Sequence, residues 1–260
     1  MRQATMRQAS TRQVPIKAGL ALCAVLMAVA ALPACRREEQ RREDQQVAMA
    51  AQAAVAEQGA KEGAAAFDDA VSKENWTLAK AQGEVLLAEY PDAEATKRVA
   101  GQLEEIKAKA DAAREGMRTA ALWSYNTETV KGGKQLSAAI YAKDDVDTDG
   151  SGPNQVRLIF RDHPSWGRSA YLVLQAGDFR CPGGCKVQVK VDDAAPKAMA
   201  ATRPKTDEAI AMFIEDERTL WRLTKGAKVI AIEFPTRDVG KRTAVFEVAG
   251  LDRTKLPGWN

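Results

Sequence analysis

The sequence predicts an α+β fold in which an N-terminal helical hairpin region precedes an antiparallel β-sandwich carrying one short helix. Three features point there. Between residues 67 and 117 apolar side chains recur at steps of three and four, the spacing that lines one face of a helix. Beyond residue 122 the apolar period falls to two, as in strands with one buried face. Tyr90-Pro91-Asp92 and later clusters of Gly, Pro and Asp divide these runs into elements of ordinary length.

Composition agrees with a globular chain of one or two domains: 260 residues, 45% hydrophobic and 28% charged. The net charge of +3 reflects 38 basic against 35 acidic residues, but Arg2, Arg7, Arg12 and Lys17 all precede the first apolar run. The residues after position 34 hold 34 basic and 35 acidic groups, a net of −1. A nucleic-acid-binding body needs a surplus of cations on one face, so no nucleic-acid partner is expected.

The first element is an address. Residues 18–32 are apolar and follow four cations, the layout of a secretory signal, and are shorter than the roughly 20 residues an ordinary membrane-spanning helix needs. The run ends in Leu32-Pro33-Ala34-Cys35 and turns at once to Arg36-Arg37-Glu38-Glu39. This resembles the lipobox of bacterial outer-membrane lipoproteins; Leu32, Ala34 and Cys35 match, whereas Pro33 departs from the usual occupant of its place. The resemblance implies that residues 1–34 form a lipoprotein signal peptide and that Cys35 becomes the mature N-terminus, carrying diacylglycerol on its sulfur and an acyl chain such as palmitate on its amine. Each buried methylene contributes about 0.8 kcal/mol, and stable anchoring takes more than one chain. Arg36 stands where Asp is the usual inner-membrane retention signal of enteric-type bacteria, so the resemblance places the chain on the outer membrane, facing the periplasm. An ordinary cleaved signal with an incidental cysteine is the alternative. Met6-Arg7-Gln8-Ala9 repeats Met1-Arg2-Gln3-Ala4, and a start at either methionine yields the same mature chain.

Residues 35–46 then read as lipid anchor and polar tether, since 36–46 contain no apolar side chain. The helical hairpin region spans 47–121. Its first part, to about residue 66, is Ala-rich with Gly59 and Gly63, a weakly packed helix. Asn75 caps a helix bearing Trp76, Leu78, Ala79, Val85, Leu86 and Tyr90, which Pro91 interrupts. A second helix from about residue 93 lines up Val99, Leu103, Ile106, Ala110, Ala113 and Met117 on one face. The Trp, Tyr-Pro and small-residue placement over 67–113 resembles a single tetratricopeptide unit, which implies a partner-binding groove; a plain hairpin closing its own core accounts for the residues equally well.

The β-sandwich domain spans 122–260. Strands are expected at 135–143, 156–162, 169–175, 185–191, 209–214, 229–234 and 242–248, with a short helix carrying Leu220, Trp221 and Leu223 and stopped near Gly226. Trp123, Trp166, Trp221 and Trp259 are expected to close its core. The element order, the cysteine region and the Phe246-Glu247-Val248-Ala249-Gly250-Leu251 ending resemble the invasion-associated locus B family and accessory β-sandwich domains associated with type VI secretion. That resemblance implies a noncatalytic envelope or binding module and assigns no functional residue.

Candidate chemistry is sparse. Cys181-Pro182-Gly183-Gly184-Cys185 places two cysteines across a tight turn in an exported chain, and a Cys181–Cys185 disulfide is expected. A redox pair would use two intervening residues, and zinc would need two further ligands beyond the lone histidine. Asp145, Asp147 and Asp149, with Gly150, reproduce the first half of a calcium loop, but Pro153 and Val156 occupy later ligand places, so a solvated hairpin loop is the competing reading. Asp162, His163 and Ser165 offer triad residue types, although without the strand-turn-helix elbow, and read better as a turn. Arg203, Lys205, Arg218, Arg222 and Lys225 are interleaved with Asp207, Glu208, Glu215, Asp216 and Glu217, the pattern of a solvated face to which no partner is assigned.

The expected function is that of a lipid-anchored periplasmic scaffold, noncatalytic and without a resident cofactor, whose partners are the membrane and an unidentified envelope protein. Calcium or small-ligand binding, and a periplasmic hydrolase, are the alternatives.

Overall fold

The computed structural model describes residues 32–204 and 210–259, with side chains from residue 36 onward. The expected signal segment up to residue 31, the Cys35 side chain, and Lys205, Asp207, Glu208 and Ala209 lie outside the described residues. The described residues divide into two compact units, one comprising those up to Asp69 with Ala81–Gln102 and the other Ala70–Lys80 with those from Leu103 onward.

Three long helices come first: α1 (Leu32–Ser72), α2 (Trp76–Glu89) and α3 (Glu94–Ala121). The tether and the Ala-rich stretch are thus parts of one helix. From residue 36 to 55 that helix is exposed all round, since its charged first half has nothing to bury. Packing in the first unit begins where Gly59 and Gly63 let neighbours approach: a Cβ on Gly59 would stand 2.7 Å from Tyr90 Oη, and one on Gly63 2.7 Å from Leu86 Cδ2. Asp68 and Arg98 make a two-pronged ion pair there, at 3.0 and 2.8 Å.

Asn75 Oδ1 accepts the Leu78 amide at 3.2 Å, the capping bond its residue type predicts. In the second unit Lys109 lies over the Trp76 ring at 4.6 Å and Lys80 pairs with Asp111, so the start of α2 runs beside the latter half of α3. Val99, Leu103, Ile106 and Ala110 are buried as their spacing requires, but Met117 is 65% exposed: the stripe stops serving a core before the helix ends.

Seven strands were expected; the described residues form nine in one antiparallel sheet and two in a small ribbon. These are β1 (Trp123–Val130), β2 (Gly133–Tyr141), β3 (Val146–Asp147), β4 (Pro153–Asn154), β5 (Val156–His163), β6 (Gly167–Leu174), β7 (Cys185–Val191), β8 (Lys197–Thr202), β9 (Ala211–Ile214), β10 (Val229–Pro235) and β11 (Lys241–Glu247). The large sheet runs β1-β2-β5-β6-β9-β8-β7-β10-β11, while β3 and β4 pair only with each other. The strands missing from the expectation have weak apolar signals. The residues of β1 are mostly polar or aromatic, and β8 reads Lys-Ala-Met-Ala-Ala-Thr, with only Met199 and Ala201 turned inward.

Every strand of this sheet offers one face to a single cluster that includes Ile140, Leu158, Phe160, Leu172, Val187, Met212, Ile230 and Phe246. A sheet whose inward face meets itself must roll, and it does: Lys143, just past β2, donates its amide to Val245 O of the last strand at 2.7 Å. The sandwich is one ladder wrapped around one core. The helix α4 (Glu217–Leu223) adds Leu220 and Trp221 to that core, and 3-10 turns at Val248–Gly250, Arg253–Lys255 and Pro257–Trp259 complete the chain.

The meander β7-β8-β9 enters in reverse order between β6 and β10, so the connection 175–184 must cross to reach β7. Phe179 anchors that crossing, 3% exposed and edge-on to Phe234 at 5.5 Å.

Candidate functional site

Asp216 starts the site. Its Oδ1 accepts the Thr219 amide at 3.1 Å and so caps α4, and its carboxyl is held below the ordinary value by the Thr219 hydroxyl and amide, with Lys197 and Arg222 adding charge. The one-turn spacing of Arg218 and Arg222 puts both on the outer side of α4, while Trp221 turns inward and is 1% exposed. Lys225 follows just after the helix. The last turns of the chain return to the same place. Arg253 lies 4.2 Å over the Trp221 ring, and its Nη1 donates to Trp221 O at 3.1 Å and Thr224 Oγ1 at 3.0 Å. Burial lowers the pKa of Arg253 from its ordinary value. Arg168, at the start of β6, donates to Gly258 O, which seats the turn carrying Trp259.

These residues line a cavity of about 870 Å³, with Arg168, Arg218, Arg222, Lys225 and Arg253 around it and Asp216 as the one carboxylate among the described lining residues. Its floor is rigid. Trp221 and Trp259 lie 5.1 Å apart and both meet Phe160 nearly edge-on, at 5.1 and 5.4 Å. Among the described residues Arg168, Arg222 and Lys225 have no carboxylate within 4.0 Å, and Arg218 is 4.0 Å from Glu217. The cavity wall therefore carries more cations than carboxylates among the described residues, above an apolar floor that strengthens their attraction for an anion.

The other candidates have local roles. The Sγ atoms of Cys181 and Cys185 lie at disulfide distance, 2.10 Å, and join the end of the crossing connection to the first residue of β7. In the aspartate loop, Asp147 Oδ1 accepts the amides of Asp149 and Gly150, at 3.3 and 2.6 Å, and Asp149 Oδ1 accepts both the amide and the hydroxyl of Ser151. Asp145 is exposed beside them. Those carboxylates satisfy the turn itself, and among the described residues no three of His, Cys, Asp and Glu gather so as to hold a metal ion.

His163 Nδ1 accepts the amides of Ser165 and Trp166 at 3.1 and 3.2 Å, and the Ser165 hydroxyl donates to Lys131 O at 3.4 Å. The hydroxyl thus faces a backbone carbonyl rather than the imidazole, and the cluster is a hairpin turn. Trp166 does not join the core. It is 71% exposed and stacks on His163 at 3.9 Å, because the β5–β6 turn carries it outward, whereas Trp123, Trp221 and Trp259 are buried.

Of the basic stretch around α4, read as a solvated face, Arg218, Arg222 and Lys225 are exposed and line the cavity, whereas Arg203 pairs with Asp178 at 2.6 Å and Lys205 lies outside the described residues. Arg168 and Arg253 were missed because they lie about 50 and 30 residues from α4, and no local pattern links them to it. Comparison with family models, with curated proteins and with solved structures finds no match to this chain.

Proposed function

We propose that this chain is an envelope lipoprotein, acylated at Cys35, held on the outer membrane and facing the periplasm, and that its β-rich unit is a noncatalytic module that binds an anionic partner. The anchor rests on the sequence: an apolar signal, the Leu32-Pro33-Ala34-Cys35 lipobox and an abrupt charged boundary. The binding role rests on one observation, the convergence of five cations with Asp216 as the single carboxylate among the described lining residues of the cavity beside α4, in a chain whose charge after residue 34 is otherwise balanced.

Like charges crowded around one cavity repel one another, and an anion entering it relieves that repulsion. Labelled palmitate should enter the wild-type protein but not a Cys35→Ser variant, which should leave the membrane fraction. An Arg222→Ala/Lys225→Ala variant should keep its membrane address and lose salt-sensitive retention on an immobilised polyanion such as heparin. Palmitate labelling that ignores Cys35 sinks the anchor, and equal retention of the two proteins sinks the cavity as the binding site.

A further inference from the structure

The cavity beside α4 carries an inference that rests on reading it as a binding site: we propose that its ligand is a phosphate-bearing polyanion, recognised through its phosphate oxygens by Arg168, Arg222 and Lys225. Charge density comes first. Arg168, Arg222 and Lys225 have no carboxylate within 4.0 Å among the described residues, and a single carboxylate ligand would neutralise only one of these three. A phosphate monoester carries close to two negative charges at neutral pH and presents three acceptor oxygens in one tetrahedral group. Guanidinium forks match that geometry with paired donors, and a lysine supplies a point charge.

The second observation concerns the aromatic rings. Trp221 and Trp259 line the cavity but are only 1% and 5% exposed, so neither offers an open face on which a base or sugar ring could stack. The Trp221 face is already covered by the Arg253 guanidinium. Recognition through a ring is therefore not on offer, and recognition through charge and hydrogen bonds is. Arg253 acts as a positioning residue, since its bonds to Trp221 O and Thr224 Oγ1 hold the end of α4 that aims Arg222 and Lys225. The volume of about 870 Å³ exceeds what one phosphate fills and leaves room for a second phosphate or an ester substituent. The same chemistry occurs in a soluble phosphate ester and in an anionic phospholipid headgroup.

The test is isothermal titration of the full mature chain at low salt with pyrophosphate and, separately, with citrate, a polycarboxylate. Pyrophosphate should bind more tightly than citrate, and the affinity should fall as salt rises. Arg222→Ala/Lys225→Ala should weaken it about tenfold or more with an unchanged melting temperature, and Arg168→Lys should weaken it while keeping the charge. Sedimentation with phosphatidylglycerol vesicles, against phosphatidylcholine vesicles, separates the sources. Cavity-dependent pelleting that pyrophosphate displaces identifies a lipid headgroup, and pyrophosphate binding without cavity-dependent pelleting identifies a soluble ester. Citrate binding as well as or better than pyrophosphate overturns the phosphate assignment and leaves the anion site standing. No binding of either anion overturns both.

Discussion

Gly250 lies against the backbone of Thr119, so close that a Cβ on the glycine would overlap the Thr119 carbonyl and the Ala120 amide. The two residues are 131 positions apart in sequence, and their approach ties the last turn of α3 to the turn that follows β11. Beside it, Arg118 bridges Glu115 and Glu247, at 2.7 Å to each, an arrangement that raises the arginine pKa and lowers that of Glu115.

The first prediction follows from this contact. Gly250→Ala should destabilise the protein by about 2 to 3 kcal/mol, because backbone rather than a flexible side chain fills the space. Arg118→Ala, which removes only a solvent-screened ion pair, should cost less. Urea denaturation of both variants checks the order, and an Arg118→Ala loss as large as that of Gly250→Ala would overturn it.

A second prediction separates the glycines within helices. Gly101 and Gly116 of α3 have open space where a Cβ would stand, so alanine at either should stabilise by about 0.5 to 1 kcal/mol through helix propensity alone. Gly59→Ala should lack that gain or reverse it, since its Cβ would press on Tyr90 at 2.7 Å. Thermal melts monitored by helical circular dichroism distinguish the two signs.

Third, the tryptophans should differ according to their seats. Trp259, 5% exposed against Phe160 and Trp221, is part of the core, and Trp259→Ala should cost about 3 to 5 kcal/mol. Trp166→Ala, at an exposed turn and touching His163 and Arg161, should cost less than about 1 kcal/mol. Equal losses in chemical denaturation would contradict the assignment of Trp259 as a core lid.

Fourth, Asp216 should make stability depend on pH in a defined direction. Its folded pKa lies below the ordinary 3.8, so its contribution is present in full above that value and is lost as pH falls through the lowered one. Asp216→Ala should cost about 1 kcal/mol at pH 7, as loss of a helix cap does. The gap between wild type and variant should shrink in urea titrations at about pH 3, and a gap that widens in acid would refute the capping role.

Periodicity alone was enough to read both the helical region and the alternation of the main strands, since a buried stripe at 3.6 or 2 residues is a local property of the chain. The Asn75 cap, the Pro91 break and the Cys181–Cys185 pairing were readable for the same reason: each involves residues within a few positions of one another. Strands β1 and β8 were not, because their pairing is set by neighbours and not by their own apolar content.

By itself, then, the sequence determined the α+β order, the inward stripe of Val99, Leu103, Ile106 and Ala110 on α3, and the short Cys181–Cys185 loop. Only the tertiary structure decided that the strands form one rolled ladder, that Trp166 faces out while Trp259 closes the core, and that Arg168 and Arg253 join the cations of α4 around one cavity. The physical reason is range. Propensity, capping and alternation act over a few residues, whereas a charged cavity is made by groups brought together when the sheet curls around its core, and no local rule records that meeting.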